Sequence, residues 1–152
     1  MDQAQPIGNP DQHLISQFQA GGGMPIPVAS NPLAVALNAQ ICHADAATGV
    51  VLEFRPDRIF LQGADVLQGG IVASMLDFAM AFAVLAALPD TASCATANLN
   101  VAFLRAAHLG TYRAVGQIER VGRTLAFARS ELRAADAAIV ATASSTLAIR
   151  SG

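Results

Sequence analysis

The chain has 152 residues, the length of one domain. Hydrophobic residues make up 53% and charged residues 13%, which gives ample core, little solvated surface, and an expectation that a partner subunit covers some apolar surface. A net charge of −2 argues against nucleic acid as the main partner.

In chain order, Met1 to Pro10 is polar and lacks the charged start and apolar run of a signal peptide. Asp11 to Gln19 reads as a short amphipathic helix with Leu14, Ile15 and Phe18 on one face. Gly21-Gly22-Gly23 breaks it, and Pro25 to Pro32 reads as an extended linker. Residues 1–32 are therefore expected to be an N-terminal helix and Pro/Gly-rich linker, and residues 33–152 the domain proper. Leu33 to His43 and Val50 to Phe54 read as two strands joined by a turn through Asp45 to Gly49.

Next comes Gln62-Gly63-Ala64-Asp65-Val66-Leu67-Gln68-Gly69-Gly70, running into an apolar helix from Ile71 to Leu88 that Pro89-Asp90 stops. Four β segments follow: Ala95 to Leu104, Tyr112 to Glu119, Thr124 to Arg133 and Ala138 to Ile149. Gly110, Val121-Gly122 and Ala135-Asp136 mark their turns. Short connections favour antiparallel neighbours. The expected fold is α+β: a six-stranded curved antiparallel sheet wrapped around one long central helix, with a short N-terminal helix.

The apolar segment 71–88 meets the lower length limit for a membrane span. Asp77 at its centre opposes that reading, because a charge there costs about 2.5–3.5 kcal/mol on insertion scales. No Lys or Arg flanks the segment closely, whereas Asp65 and Asp90 do. A helix apolar on all sides is otherwise a buried helix.

Cys42 and Cys94 have neither metal-ligand nor disulfide-framework spacing and read as two reduced thiols in a cytoplasmic protein. His13, His43 and His108 share no motif and read as surface or structural residues, so no metal is indicated.

The chemistry concentrates at the Gly-Gly helix start. Free N–H groups there favour negative charge. Asp77, about two turns further on, is the only charge between Asp65 and Asp90, and its ionised form needs a partner. An N–H donor group and a buried carboxylate are the minimum set for hydrolysing an acyl group. Each residue also has a bland reading. Asp77 is too far into the helix to cap it, but it is suited to bonding a neighbouring strand. Gly69 and Gly70 would permit close helix–sheet approach. Gln62 and Gln68 fit as ordinary loop residues and Thr96 as an ordinary strand residue.

The pattern Gln62, Gln68-Gly69-Gly70, Asp77, then Thr96-Ala97-Asn98-Leu99-Asn100-Val101-Ala102-Phe103-Leu104-Arg105, Gly110 and Gly122-Arg123-Thr124-Leu125-Ala126-Phe127 resembles the hot-dog-fold acyl-CoA thioesterases, most nearly the phenylacetate-degradation (PaaI-like) type. The resemblance covers roughly residues 33–149 and implies the following roles. The N–H of Gly69 polarises the thioester carbonyl and stabilises the oxyanion. Asp77 acts as general base or nucleophile, facing the glycine of a neighbouring subunit. Gln62 lies near the carbonyl or the attacking water, and Thr96, or second Ser93, orients that water. Gly70 is a further candidate CoA contact; read from the residues themselves, Arg120 and Arg123 flank a turn and fit equally as contacts to the CoA phosphates or as solvated turn residues.

One position departs from the family. His usually precedes the Gly-Gly, and this chain has Gln68, which hydrogen-bonds but does not titrate near neutral pH. The implied activity is hydrolysis of acyl-CoA to free acid and CoA in a homodimer or homotetramer, with no cofactor beyond the CoA of the substrate and no nucleic-acid or membrane partner. The alternatives are an acyl-CoA-binding module with little catalysis, which Gln68 keeps open, and an enoyl-thioester hydratase or dehydratase, which normally needs a His beside the carboxylate.

Overall fold

Two Asn-Pro pairs shape the N-terminal third of the chain. The computed structural model describes residues 8–152, so most of the Met1 to Pro10 expectation lies outside the described residues. Asn9 caps α1 (Pro10–Ala20) by accepting from the Asp11 N–H, with Pro10 in the first turn. Helix α1 buries Ile15 and Phe18, as its pattern predicts, and also Gln12, whose Nε2 donates to Leu88 O at 3.4 Å.

The second pair corrects the sequence reading. Leu33 to His43 is not one strand. Asn31 accepts from the N–H groups of Leu33 and Ala34 and, with Pro32, starts the short helix α2 (Pro32–Ala36). Asn38 then turns the chain at φ 51°, and strand β2 runs only from Gln40 to Asp45. The run Leu33-Ala34-Val35-Ala36-Leu37 looks strand-like by composition, but the asparagine cap decides it.

The Pro-rich segment is not wholly a linker. Ile26–Pro27 forms β1, paired antiparallel with Ile41 and Gln40 of β2. This raises the strand count to seven from the expected six. Pro27 can occupy this position because β1 is an edge, where no N–H is required of it. Ile15, Phe18 and Val28 belong to the same core as the rest of the chain.

The other strands are β3 (Gly49–Phe54), β4 (Ser93–Phe103), β5 (Tyr112–Val121), β6 (Leu125–Arg133) and β7 (Ile139–Arg150). The sheet order is β1-β2-β3-β5-β6-β7-β4, every neighbouring pair antiparallel. The connection from β3 to β4 therefore crosses nearly the whole sheet, and helix α3 (Gly69–Ala86) makes that crossing. It packs against β2 to β7, and Met75, Leu76, Ala79, Met80 and Val84 are fully buried. With a mean hydropathy of 1.9 the helix is apolar enough to cross a membrane, but here the sheet wraps it and it is the core helix.

One contact fixes the depth of α3. A Cβ on Gly116 of β5 would lie 2.1 Å from Ala79 O and 2.4 Å from Ala79 C. The sheet meets the helix backbone itself there, and Ser130 of β6 donates to Leu76 O at 3.1 Å one turn earlier. The glycines of close helix–sheet approach are thus not Gly69 and Gly70. A Cβ on Gly70 would meet nothing within 4 Å, and one on Gly69 only the Phe103 ring.

Candidate active site

The loop before α3 is a small closed hairpin. Leu61 bridges Leu67, Gln62 N–H donates to Val66 O at 2.8 Å, and Gln68 N–H donates to Phe60 O at 3.0 Å. Leu67 N–H donates to Ala107 O at 2.7 Å, tying the loop to the segment after β4. Gln68 is the N-cap residue, and its carbonyl accepts from Ile71 and Val72. The N–H groups of Gly69 and Gly70 have no acceptor among the described residues. They lie at the positive end of an 18-residue helix.

Gly69 opens onto a cleft of about 440 Å³, which Gln62, Val72, Phe103, Leu104 and Arg105 also line. Two of the predicted residues, Gly69 and Gln62, therefore meet at one place. Gln68 does not line this cleft, and its exposed side chain has no hydrogen-bond partner among the described residues.

Asp77 and Thr96 form a second group. Thr96 Oγ1 donates to Asp77 Oδ1 at 2.7 Å, and Asp77 is half-buried rather than enclosed. The hydroxyl occupies one carboxylate oxygen and orients the group, leaving the other oxygen for a water. Thr96 rather than Ser93 is the residue that bonds Asp77, and the side chain of Ser93 makes no hydrogen bond among the described residues. Cys94 lies on the same strand face. Burial first, and then the Asp77 charge, push its thiol up to about 11, so it is not a thiolate nucleophile near neutral pH.

A single irregularity in β4 aims both groups at the helix. Thr96 pairs with Leu147 and Asn98 with Thr146, leaving Ala97 as an extra residue. This bulge switches the alternation of the strand. Cys94 and Thr96 point to α3 before it, and Leu99, Val101 and Phe103 do so after it. Asn98 and Asn100 turn outward, hydrogen-bonded to each other at 2.7 Å.

The two groups do not meet within one chain. Gly69 and Asp77 are separated by eight residues of straight helix, about 12 Å at 1.5 Å per residue. Both lie along β4, whose outer edge has no partner strand among the described residues.

The expected phosphate contacts fare differently. Arg120 and Arg123 flank the β5–β6 turn, which Ile149 N–H reaches through Thr124 O. Ile149 pairs with Cys94, so this turn lies at the Ser93 end of the sheet, away from Gly69. The cation at the Gly69 cleft is Arg105, whose guanidinium has no carboxylate partner among the described residues. The Thr96–Arg105 stretch of the sequence pattern ends on this residue, but nothing in it distinguishes that arginine from the pair at the turn. Among the described residues no cluster of His, Cys, Asp or Glu has metal-binding geometry.

Residues 65–141, which include Gly69, Asp77 and Thr96, match the thioesterase superfamily. A phenylacetic acid degradation-related protein of Ralstonia eutropha JMP134 is 35% identical, with 88% of this chain and 98% of that one covered at a TM-score of 0.76. The chain belongs to the thioesterase superfamily. A thioesterase family protein of Silicibacter pomeroyi is 26% identical, with 91% and 99% covered at a TM-score of 0.77. The PaaI protein of the E. coli phenylacetic acid degradation operon shares the fold, at 19% identity, 95% and 96% covered and a TM-score of 0.75. No curated protein matches the chain. The hot-dog fold implied by the sequence pattern is the fold found, with β1 added at one edge.

Gln68 is the position to vary first. Its side chain holds nothing in the fold, so Gln68→Ala should leave the melting temperature unchanged; if that side chain hydrogen-bonds the carbonyl side of a bound substrate, the same change should lower turnover modestly. Gln68→His should retain or raise turnover, because it restores the family residue. Equal steady-state rates in wild type and both variants would make Gln68 a bystander.

Proposed function

We propose that this thioesterase-superfamily chain hydrolyses acyl-CoA to the free acid and CoA, at sites each shared by two copies of the chain. The observation that carries this reading is the separation of about 12 Å between Gly69 and Asp77 on one straight helix. A carboxylate side chain cannot span that distance to a carbonyl held at the Gly69 N–H. A two-fold axis beside β4 removes the difficulty. Antiparallel pairing of two free β4 edges about a point between Thr96 and Phe103 lays the Asp77–Thr96 group of one copy beside the Gly69–Phe103 group of the other. The same pairing carries the Arg120 and Arg123 turn of the second copy to the Gly69 end of the first, where Arg105 already stands.

In this arrangement the thioester carbonyl accepts from the Gly69 N–H, with Gln62 beside it. Asp77, held by Thr96, takes a proton from water as that water attacks the carbonyl carbon. The tetrahedral oxyanion rests on the Gly69 N–H, then collapses, and the C–S bond breaks as Asp77 returns its proton to the departing sulfur, releasing the CoA thiol. Among the described residues no histidine lines the Gly69 cleft, which disfavours the hydratase alternative.

The test is thiol release over an acyl-CoA panel combined with subunit mixing. Gly69→Pro removes the proposed donor while keeping helical geometry: proline suits the first helical position, and Gln68, at φ −55° and ψ 139°, already has the backbone preferred before proline. Gly69→Pro and Asp77→Asn should each be nearly inactive. Random dimers of the two variants contain one intact site in every mixed pair, so co-refolding should restore about a quarter of wild-type activity. No recovery in folded mixed dimers would defeat the shared site. Binding of acyl-CoA by wild type without thiol release would replace the enzyme reading with a binding module.

A further inference from the structure

The Gly69 cleft has a wall that the fold itself does not require. Phe103, the last residue of β4, is 55% exposed and belongs neither to the buried core nor to the partly buried residues packed on it. Its ring edge nevertheless comes close to the helix start. Cζ and Cε1 lie 3.3 and 3.5 Å from where a Cβ on Gly69 would stand.

The bulge at Ala97 produces this placement. Unbroken alternation from Thr96 would send Asn98, Asn100 and Ala102 to the helix side and turn Phe103 away. With the extra residue, a large ring occupies the position nearest the proposed carbonyl site, while Thr96 keeps its bond to Asp77. Around the ring the cleft is apolar, with Leu67, Val72 and Leu104, and the polar groups Gln62 and Arg105 also line it.

We propose that Phe103 determines acyl specificity: its ring closes the cleft beside Gly69 and sets the upper size of the apolar acyl group whose carbonyl reaches that amide. The inference rests on the acyl-CoA reading above and adds a residue and a substrate property to it. A steric wall discriminates by length or bulk, and one methylene too many against a fixed wall is worth about 10-fold or more.

The experiment compares wild type, Phe103→Ala, Phe103→Leu and Phe103→Trp over straight-chain acyl-CoAs from acetyl to lauroyl. Two quantities are read: kcat/KM by thiol release, and Kd for the non-hydrolysable thioether analogues of the same chain lengths. Phe103→Ala should move the ratio of long to short acyl groups by about 10-fold or more towards long, Phe103→Leu less, and Phe103→Trp in the opposite direction. The analogue affinities should move in parallel. Should Phe103→Ala fail to fold, Phe103→Leu and Phe103→Trp carry the same comparison.

A uniform change across all chain lengths would overturn the inference, since it would place the ring against the constant part of the substrate. The two readings fail separately. If wild type releases no thiol but the variants still shift analogue preference, hydrolysis falls and the wall stands. If wild type turns over the series and the variants change every member equally, the reverse holds. If wild type neither releases thiol nor binds any analogue, both fall.

Discussion

Asp77→Asn should lower turnover about 10²-fold or more, the scale of losing a general base, while the fold persists. The amide is nearly the size of the carboxylate, the position is half-buried, and Thr96 can still donate to its Oδ1. What the variant loses is the acceptor for the proton of water, or the nucleophile if Asp77 attacks directly. Thr96→Val is the companion. It removes the hydrogen bond that orients Asp77, an interaction to a charged group worth about 1.5–3 kcal/mol, and should lower turnover about 10-fold or more while Asp77 remains. The two effects should not add, because Thr96 acts through Asp77: in the Asp77→Asn background, Thr96→Val should change little. Thiol release at saturating substrate, with thermal melts at equal protein concentration, measures all of this. Unchanged turnover in a folded Asp77→Asn protein would remove Asp77 from the mechanism. Full additivity would remove Thr96 from its place beside it.

Much of this arrangement is written locally in the sequence. A Gly-Gly start, eighteen mostly apolar residues and Pro89-Asp90 define the core helix, and the four later strands lie within about two residues of their predicted bounds. A bond from Asp77 to a neighbouring strand is the plain reading of a carboxylate alone in an apolar helix, but the sequence names no donor for it; the structure supplies Thr96. Three things were not legible. The helix at Pro32–Ala36 hides in a strand-like composition, and only the Asn31 cap reveals it. The bulge at Ala97 has no local signature, because the pairing partners Leu147 and Thr146 create it from nearly fifty residues away. The position of Arg120 and Arg123 at the far end of the sheet follows from strand order, which motif spacing does not encode. Asp77 was expected to be buried. In the single chain it is half-open, which fits a carboxylate that reaches a second subunit.

The other large effect belongs to a glycine outside the motif. Gly116→Ala should cost about 3 kcal/mol or more, the upper end of overpacking, since the new methyl would stand 2.1 Å from Ala79 O and 2.4 Å from Ala79 C. Both atoms are helix backbone, so no side-chain rotation relieves the clash. Helix α3 would have to lift off β5 by more than 1 Å. At this chain length the loss corresponds to a fall in melting temperature of roughly 10 °C, read at fixed protein concentration because assembly shifts apparent stability. Turnover should fall as well, because Ala79 is only two residues from Asp77 and a lifted helix draws the carboxylate away from Thr96. Gly70→Ala is the control. Its Cβ meets nothing within 4 Å and its φ is not positive, so the melting temperature should hold or rise slightly, as alanine favours helix. A Gly116→Ala protein that melts with wild type would mean that α3 does not sit on β5 at this depth, and the aim of Asp77 at Thr96 would need another explanation.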